Sequence, residues 1–321
     1  MTQWSEPDER PSPHGFGLSE ADEKLLRGPV PSVAVAWVQH VLGNGARVVA
    51  TAALEGGTSS AVHAVSVELA SGSVRDFVLR RFVRADWLAE EPDVAVREAQ
   101  ALSMLGGAEL PTPELVGADA DGSVAGAPSV LMSRLPGRVV WDPADVEGFL
   151  RALAELLPVV HGLDLGRCAV LPEYAPYPLR MRRPPAWASV PEVWMRAIDL
   201  LEDPPSLVAA SGGERRFIHR DYHPGNVLWQ RGDVSGLIDW VNASIGSPWA
   251  DVGHCRVNIA SELGQDAADR FLELYRDASG RTDDYHPYWD ISAAIGGLDQ
   301  DADAAPSPAD EKFLNAAVCR L

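Results

Sequence analysis

With 321 residues, 46% of them hydrophobic, the chain can bury one large core or two modest ones. A net charge of −19 and a pI near 4.7 argue against a nucleic-acid or anionic-membrane binder. No window approaches the ~18 unbroken apolar residues of a membrane span, and the acidic opening MTQWSEPDER lacks the apolar stretch of a signal peptide. The cysteines Cys168, Cys255 and Cys319 are odd in number and far apart, so a soluble protein of a reducing, cytoplasmic compartment is expected.

Residues 1–32, rich in Pro, Glu and Asp, read as a mobile tail with room for one helical turn. SVAVAWVQHVLG then has a helical pattern and ends at Gly43. Three strand-like runs follow, ARVVATAAL, AVHAVSVELA and DFVLRRFV, separated by EGGTSS and SGSVR, as successive hairpins would be. DVAVREAQALSMLGG reads as a helix, and PELVGADA and APSVLMSRL as two further strands. This predicts an α+β chain: an N-terminal lobe (33–135) with a five-stranded sheet and one helix, then a mainly helical lobe (136–321). In the second lobe Asp142 and Pro143 read as the N-cap and first residue of a long helix to about 162. The Pro-rich stretch 172–191 carries two tyrosines and Trp187, which suits an ordered loop better than a linker.

FIHRDYHPGNVLWQRGDVSGLIDW, residues 217–240, concentrates the polar chemistry. Strand-like RRFI leads into a loop with His219, Arg220, Asp221, His223 and Asn226, and the Pro224-Gly225 pair marks a turn before the strand-like VLW. Asp239 ends the next strand, thirteen residues beyond Asn226. Phosphoryl transfer needs such a set: a carboxylate for the attacking hydroxyl, and an amide and a second carboxylate as hard oxygen ligands for Mg2+. Asp221, Asn226 and Asp239 match the kinase spacing of those three groups.

The motifs HRDYHPGNVLW and GLIDW closely resemble the catalytic loop and metal-binding strand of the aminoglycoside phosphotransferase family, small-molecule kinases with the bilobal protein-kinase-like fold. The resemblance runs from about residue 45 to 290. It implies Asp221 as catalytic base, His219 holding the loop in shape by hydrogen bonding to backbone, Asn226 and Asp239 as Mg2+ ligands, and Asp251 in PWADVGH as a support of the loop. LEGGTSSAVHAV resembles the family's phosphate-covering turn, with Gly56, Gly57, Thr58 and Ser59. LMSRLPG resembles the interlobe hinge, where backbone near Met132, Ser133 and Arg134 would meet adenine.

The strand lysine that should reach the α- and β-phosphates is missing; only Lys24 and Lys312 are lysines among 27 basic residues. VLRRF offers Arg80 and Arg81, on opposite faces by strand alternation, with Arg80 favoured for the phosphates and Glu98 as its partner. Two further departures, Val241-Asn242 after Asp239 and Gly246-Ser247-Pro248 in place of a GDP motif, touch no residue needed for catalysis.

Only 11 residues separate Asp239 from Asp251, too few for a phosphorylatable activation loop, and GxxxxGK is absent. The expected activity is therefore transfer of phosphate from ATP, or GTP, to a hydroxyl of a small molecule. Overall acidity suits a cationic acceptor such as an aminoglycoside or other basic antibiotic. A metabolic kinase for choline, homoserine or a sugar-like alcohol is the same-class alternative, and a nucleotide-binding scaffold the different-class one. A monomer or homodimer fits either. Tyr174, Tyr177, Trp187 and Trp194 could line an acceptor pocket or pack the helical core. His223 with His219 and Cys255 reads as structural rather than as a metal set.

Overall fold

The computed structural model describes residues 20–54, 59–167, 171–204, 214–298 and 308–321, and these divide into two compact units. The first comprises the chain up to Ala99 together with Glu114–Arg134. It runs α1 (Glu20–Arg27), α2 (Ser32–Leu42), β1 (Arg47–Ala53), β2 (Ala61–Glu68), β3 (Val74–Arg81), α3 (Ala85–Glu90), α4 (Val94–Leu105, whose first half belongs here), β4 (Leu115–Asp119) and β5 (Ser129–Ser133). The strands form one antiparallel sheet in the order β1-β2-β3-β5-β4.

Period-two alternation explains both faces of this sheet. Val65, Val67, Phe77, Leu79 and Leu131 share one face and pack under Ala34, Trp37 and Val38 of α2. Each such buried side chain contributes about 1.5–3 kcal/mol. Residues 20–32, expected as part of the tail, carry α1 and the start of α2; Leu26 is buried, and the Gly28 carbonyl meets His63 Nε2 at 2.8 Å. Helix α3 was not anticipated. Its six residues, ADWLAE, are too few to show a helical period and carry no side-chain cap.

The second unit comprises Gln100–Pro113 and Leu135–Leu321. Its elements are α5 (Val146–His161), α6 (Pro191–Glu202), β6 (Arg216–Ile218), β7 (Val227–Gln230), β8 (Asp233–Leu237), β9 (Ser244–Gly246), α7 (Pro248–Leu263), α8 (Gln265–Ser279), α9 (Tyr288–Ile295) and α10 (Pro308–Val318). The four strands make two antiparallel pairs, β6 with β9 and β7 with β8. Met181, Trp194, Ile198, Ile291, Ile295 and Leu314 form a core between α6, α9 and α10.

Helix α5 starts later than expected. Its N-cap is Asp145, not Asp142, because Asp145 Oδ1 accepts the Gly148 N–H at 3.0 Å. The Pro-rich stretch is an ordered strap: Ile245 of β9 donates to the Pro172 carbonyl at 2.9 Å and accepts from Tyr174 N at 2.7 Å. The four aromatics divide. Trp187 and Trp194 meet edge to face at 5.1 Å in the helical core, whereas Tyr174 and Tyr177 line a recess. No helix among the described residues is long and apolar enough to cross a membrane.

Candidate active site

In the second unit, β6 delivers the chain into residues 219–226, a short 3-10 turn over Pro224–Asn226 follows, and β7 leaves. The turn is capped by His223, whose Nδ1 accepts the Gly225 N–H at 3.0 Å. Asn226 donates Nδ2 to the Asp221 carbonyl at 2.9 Å and to Asp221 Oδ2 at 3.3 Å. Its amide nitrogen is thus committed to the loop, leaving the amide oxygen as the group suited to a cation. Across the hairpin the Asn226 carbonyl accepts from Ile238 N at 2.9 Å, and Val227 pairs with Leu237. Asp239 therefore leaves β8 beside the start of β7, at the same end as Asn226. Two oxygen donors at one strand end fit Mg2+ and not a soft metal.

Asp251, in the first turn of α7, holds the loop. Its fully buried carboxylate accepts from Arg220 N at 2.6 Å and His219 N at 2.9 Å, and lies 3.0 Å from His161 Nε2. His161 Nδ1 in turn meets the Tyr275 hydroxyl at 3.1 Å. His219 is buried too, with Nε2 2.9 Å from the Ile238 carbonyl. Arg220 and Asp239 adopt left-handed backbone, φ 68° and 67°. Such conformations in residues other than glycine cost about 1–3 kcal/mol and persist only where surrounding bonds impose them. Here the bonds to Asp251 impose the one at Arg220.

One contact was not anticipated: His254 of α7 places Nε2 3.0 Å from Asp221 Oδ1. It lies three residues after Asp251, hence on the same helix face, which is the only signal that could have placed it there. His223 Nε2 stands 3.9 Å from the same oxygen. Asp221, His223 and His254 thus gather their ligand-type atoms within 4.8 Å, a different set from His219, His223 and Cys255. Burial alone would raise the Asp221 pKa; the His254 hydrogen bond and the charges of His223, His254 and His219 outweigh it and hold the carboxyl well below the usual range.

In the first unit, Arg80 Nη1 donates to Glu98 Oε1 at 2.8 Å, so β3 and α4 bring the expected pair together. Arg81 lies on the opposite face, as alternation requires, yet it does not face solvent. It is 8% exposed, as Arg80 is, because its face lies under the α1–α2 layer beside His63. Met132 is buried in β5. Ser133 is engaged with Glu114, its N–H donating to the carbonyl at 2.9 Å and its hydroxyl accepting the N–H at 2.8 Å. Arg134 reaches towards Asp76 at 3.9 Å. Ser59 is half-buried, and Gly56, Gly57 and Thr58 lie outside the described residues.

A five-stranded antiparallel sheet bearing an Arg-Glu pair, and a helical unit with an Asp-Asn loop beside an Asp-ended hairpin, define an α+β protein-kinase-like fold. The model of the phosphotransferase enzyme family matches residues 52–288, and the chain belongs to that family. A Bacillus subtilis strain 168 protein, the uncharacterized YcbJ, is 27% identical over 216 residues, 62% of this chain and 61% of that protein, so the chain spans under two thirds of this relative. Among solved structures, a thermostable mutant of aminoglycoside phosphotransferase APH(4)-Ia in ternary complex with ADP and hygromycin B is 17% identical, with TM-score 0.55 over 89% of this chain and 97% of that one. Macrolide 2'-phosphotransferase type I is 20% identical, with TM-score 0.52 over 91% and 98%.

Proposed function

We propose that the chain transfers the γ-phosphoryl group of ATP to a hydroxyl of a small molecule. The observation that carries this reading is the Asp221 loop: a carboxylate kept ionised, oriented by Asn226 and His254, on backbone fixed by Asp251. Asp221 would orient the acceptor hydroxyl and take its proton. Asn226 and Asp239 would hold Mg2+, which when bound neutralises charge on the phosphates. His219, buried and bonded to backbone, shapes the loop and exchanges no proton with substrate. Arg80, steadied by Glu98, would grip the α- and β-phosphates in the lysine's place, and a fork that keeps its charge suits that role.

The described part of the phosphate-covering turn, Ser59, and the backbone of Met132 to Arg134 would serve the nucleotide. At Ser133 the N–H is already donated to Glu114, so adenine would find the carbonyl there. ATP use is supported by the ADP in the APH(4)-Ia complex; GTP is the alternative. The acceptor class is supported by relatives that handle hygromycin B and macrolides, both hydroxyl-rich small molecules. A scaffold without turnover is disfavoured because the Asp221 and Asn226 contacts are intact and an arginine supplies the missing cation.

The test is ADP release from Mg–ATP by the purified chain, with the phosphorylated acceptor identified by phosphorus NMR. Turnover that requires Mg2+ or Mn2+ and stops after EDTA is expected. Full turnover after exhaustive EDTA treatment, with no metal added back, would contradict the ligand assignment.

A further inference from the structure

The second unit has a recess lined by Tyr174, Tyr177, Arg220, His254, Trp289 and Ser292, with three small residues completing the wall. Its link to the proposed chemistry is direct, because His254 is the residue bonded to Asp221. An acceptor whose hydroxyl reaches Asp221 therefore has this wall beside it.

The charge of the wall is the opposite of what overall acidity suggested. Among the described residues lining it none is a carboxylate, and the one permanent charge is Arg220. That charge is deliberately placed by the backbone: the left-handed φ at Arg220 is fixed by Asp251, and the guanidinium lies 4.7 Å over the Tyr177 ring and 6.0 Å over the Tyr174 ring. One Nη2 hydrogen goes to the Ala175 carbonyl at 3.0 Å. A guanidinium only donates, so a carboxylate would supply acceptors to the terminal nitrogens of Arg220, whereas a cationic amine would meet like charge there. The net charge of −19 does not oppose this, since charges beyond about 8 Å are screened at physiological salt.

We infer that the acceptor is a hydroxy acid: a carboxylate for Arg220, an apolar or aromatic body against Tyr174, Tyr177 and Trp289, and a hydroxyl for Asp221. The inference rests on the phosphotransferase reading. In the step, the acceptor oxygen forms a bond to the γ-phosphorus while the bond from that phosphorus to the β–γ bridging oxygen breaks. ADP leaves with the electron pair, and the hydroxyl proton passes to Asp221.

The full chain with Mg–ATP is offered 4-(hydroxymethyl)benzoate and 4-hydroxybutyrate, the primary amide of each, and hygromycin B, with products read by phosphorus NMR. Each carboxylate is expected to exceed its amide at least tenfold in kcat/KM, chiefly through KM. Arg220→Gln is expected to abolish that preference, and Arg220→Lys to restore part of it. The parent's own preference is read first, so a variant that fails to fold does not shield the inference. Preference for the amides or hygromycin B, or a preference that survives Arg220→Gln, overturns the hydroxy-acid inference and leaves the phosphotransferase reading standing. No phosphorylated product from any class, with no ADP formed, overturns both.

Discussion

Every polar side-chain atom of Arg256 and Asp290 finds a partner inside the fold, whereas around Asp221 several do not. Arg256 of α7 gives Nε and Nη2 to Asp290 at 2.9 and 3.2 Å, Nη1 to the Ala268 carbonyl at 2.6 Å and Nη2 to Asp269 at 2.9 Å. Asp290 also accepts from the Tyr285 hydroxyl at 2.5 Å and from Arg320. Arg256 and Asp290 are both fully buried, and neither contains a buried orphan atom. The Asp221 centre is held by the same helix, through Asp251 and His254, yet it keeps two left-handed residues and unpartnered nitrogens, Nδ1 of His219 and Nε of Arg220. A saturated network serves only the fold. Left-handed backbone and unpartnered nitrogens held in place by a saturated carboxylate, Asp251, mark where the fold serves something outside itself.

Breaking the closed centre should unfold the protein. Asp290→Ala strands the Arg256 guanidinium without its main counter-ion, and such losses cost about 3–5 kcal/mol. Thermal denaturation should show a drop of several degrees or no folded protein at all; an unchanged midpoint would mean that Arg256 is supported by Asp269 and Ala268 alone.

The two arginines of β3 sharpen the same contrast in the first unit. Arg80→Ala removes a cation paired with Glu98 on one face, and the ATP KM should rise about tenfold with a fall in kcat, because the same contact positions the γ-phosphate. Arg81→Met removes a buried cation from the opposite face, whose burial already lowers its pKa. Its ATP kinetics should stay within about twofold of the parent, with stability equal or higher. The reverse ranking in initial-rate kinetics would move the phosphate grip to Arg81.

A smaller effect lies beside Arg81. Burial lowers the pKa of His63; the Gly28 carbonyl partly restores it and Arg81 depresses it further. Between that lowered folded value and the unfolded value near 6.5, the unfolded chain binds the extra proton, so stability falls as pH falls through this window. His63→Gln removes the component. Denaturant midpoints measured from about pH 7.5 to about pH 5 should decline more steeply in the parent than in the variant.

The parts of this account that rest on local pattern were legible in the sequence. Alternation located the five strands, and the Asp221, Asn226, Asp239 spacing located the loop and hairpin that bring these residues to one end. What depended on distant packing was not. Arg81 is buried because α1 and α2, roughly forty to sixty residues earlier, cover its face. His161 reaches Asp251 across ninety residues, and Asp145 outcompetes Asp142 as a cap by geometry alone. The overall charge averages over a surface, whereas the permanent charge lining the recess comes from one arginine placed by the loop.

The most direct test of the open centre is turnover and stability measured on one preparation of Asp221→Asn. The variant keeps the shape of the side chain and its place beside Asn226 and His254, but it can no longer take a proton. A fall in kcat of about a hundredfold or more is predicted, with Mg–ATP affinity and the thermal midpoint close to those of the parent. Turnover near the parent's would remove Asp221 from the chemistry, and a collapse in stability at parental specific activity of the folded fraction would make the Asp221 centre structural, as the Arg256 centre is.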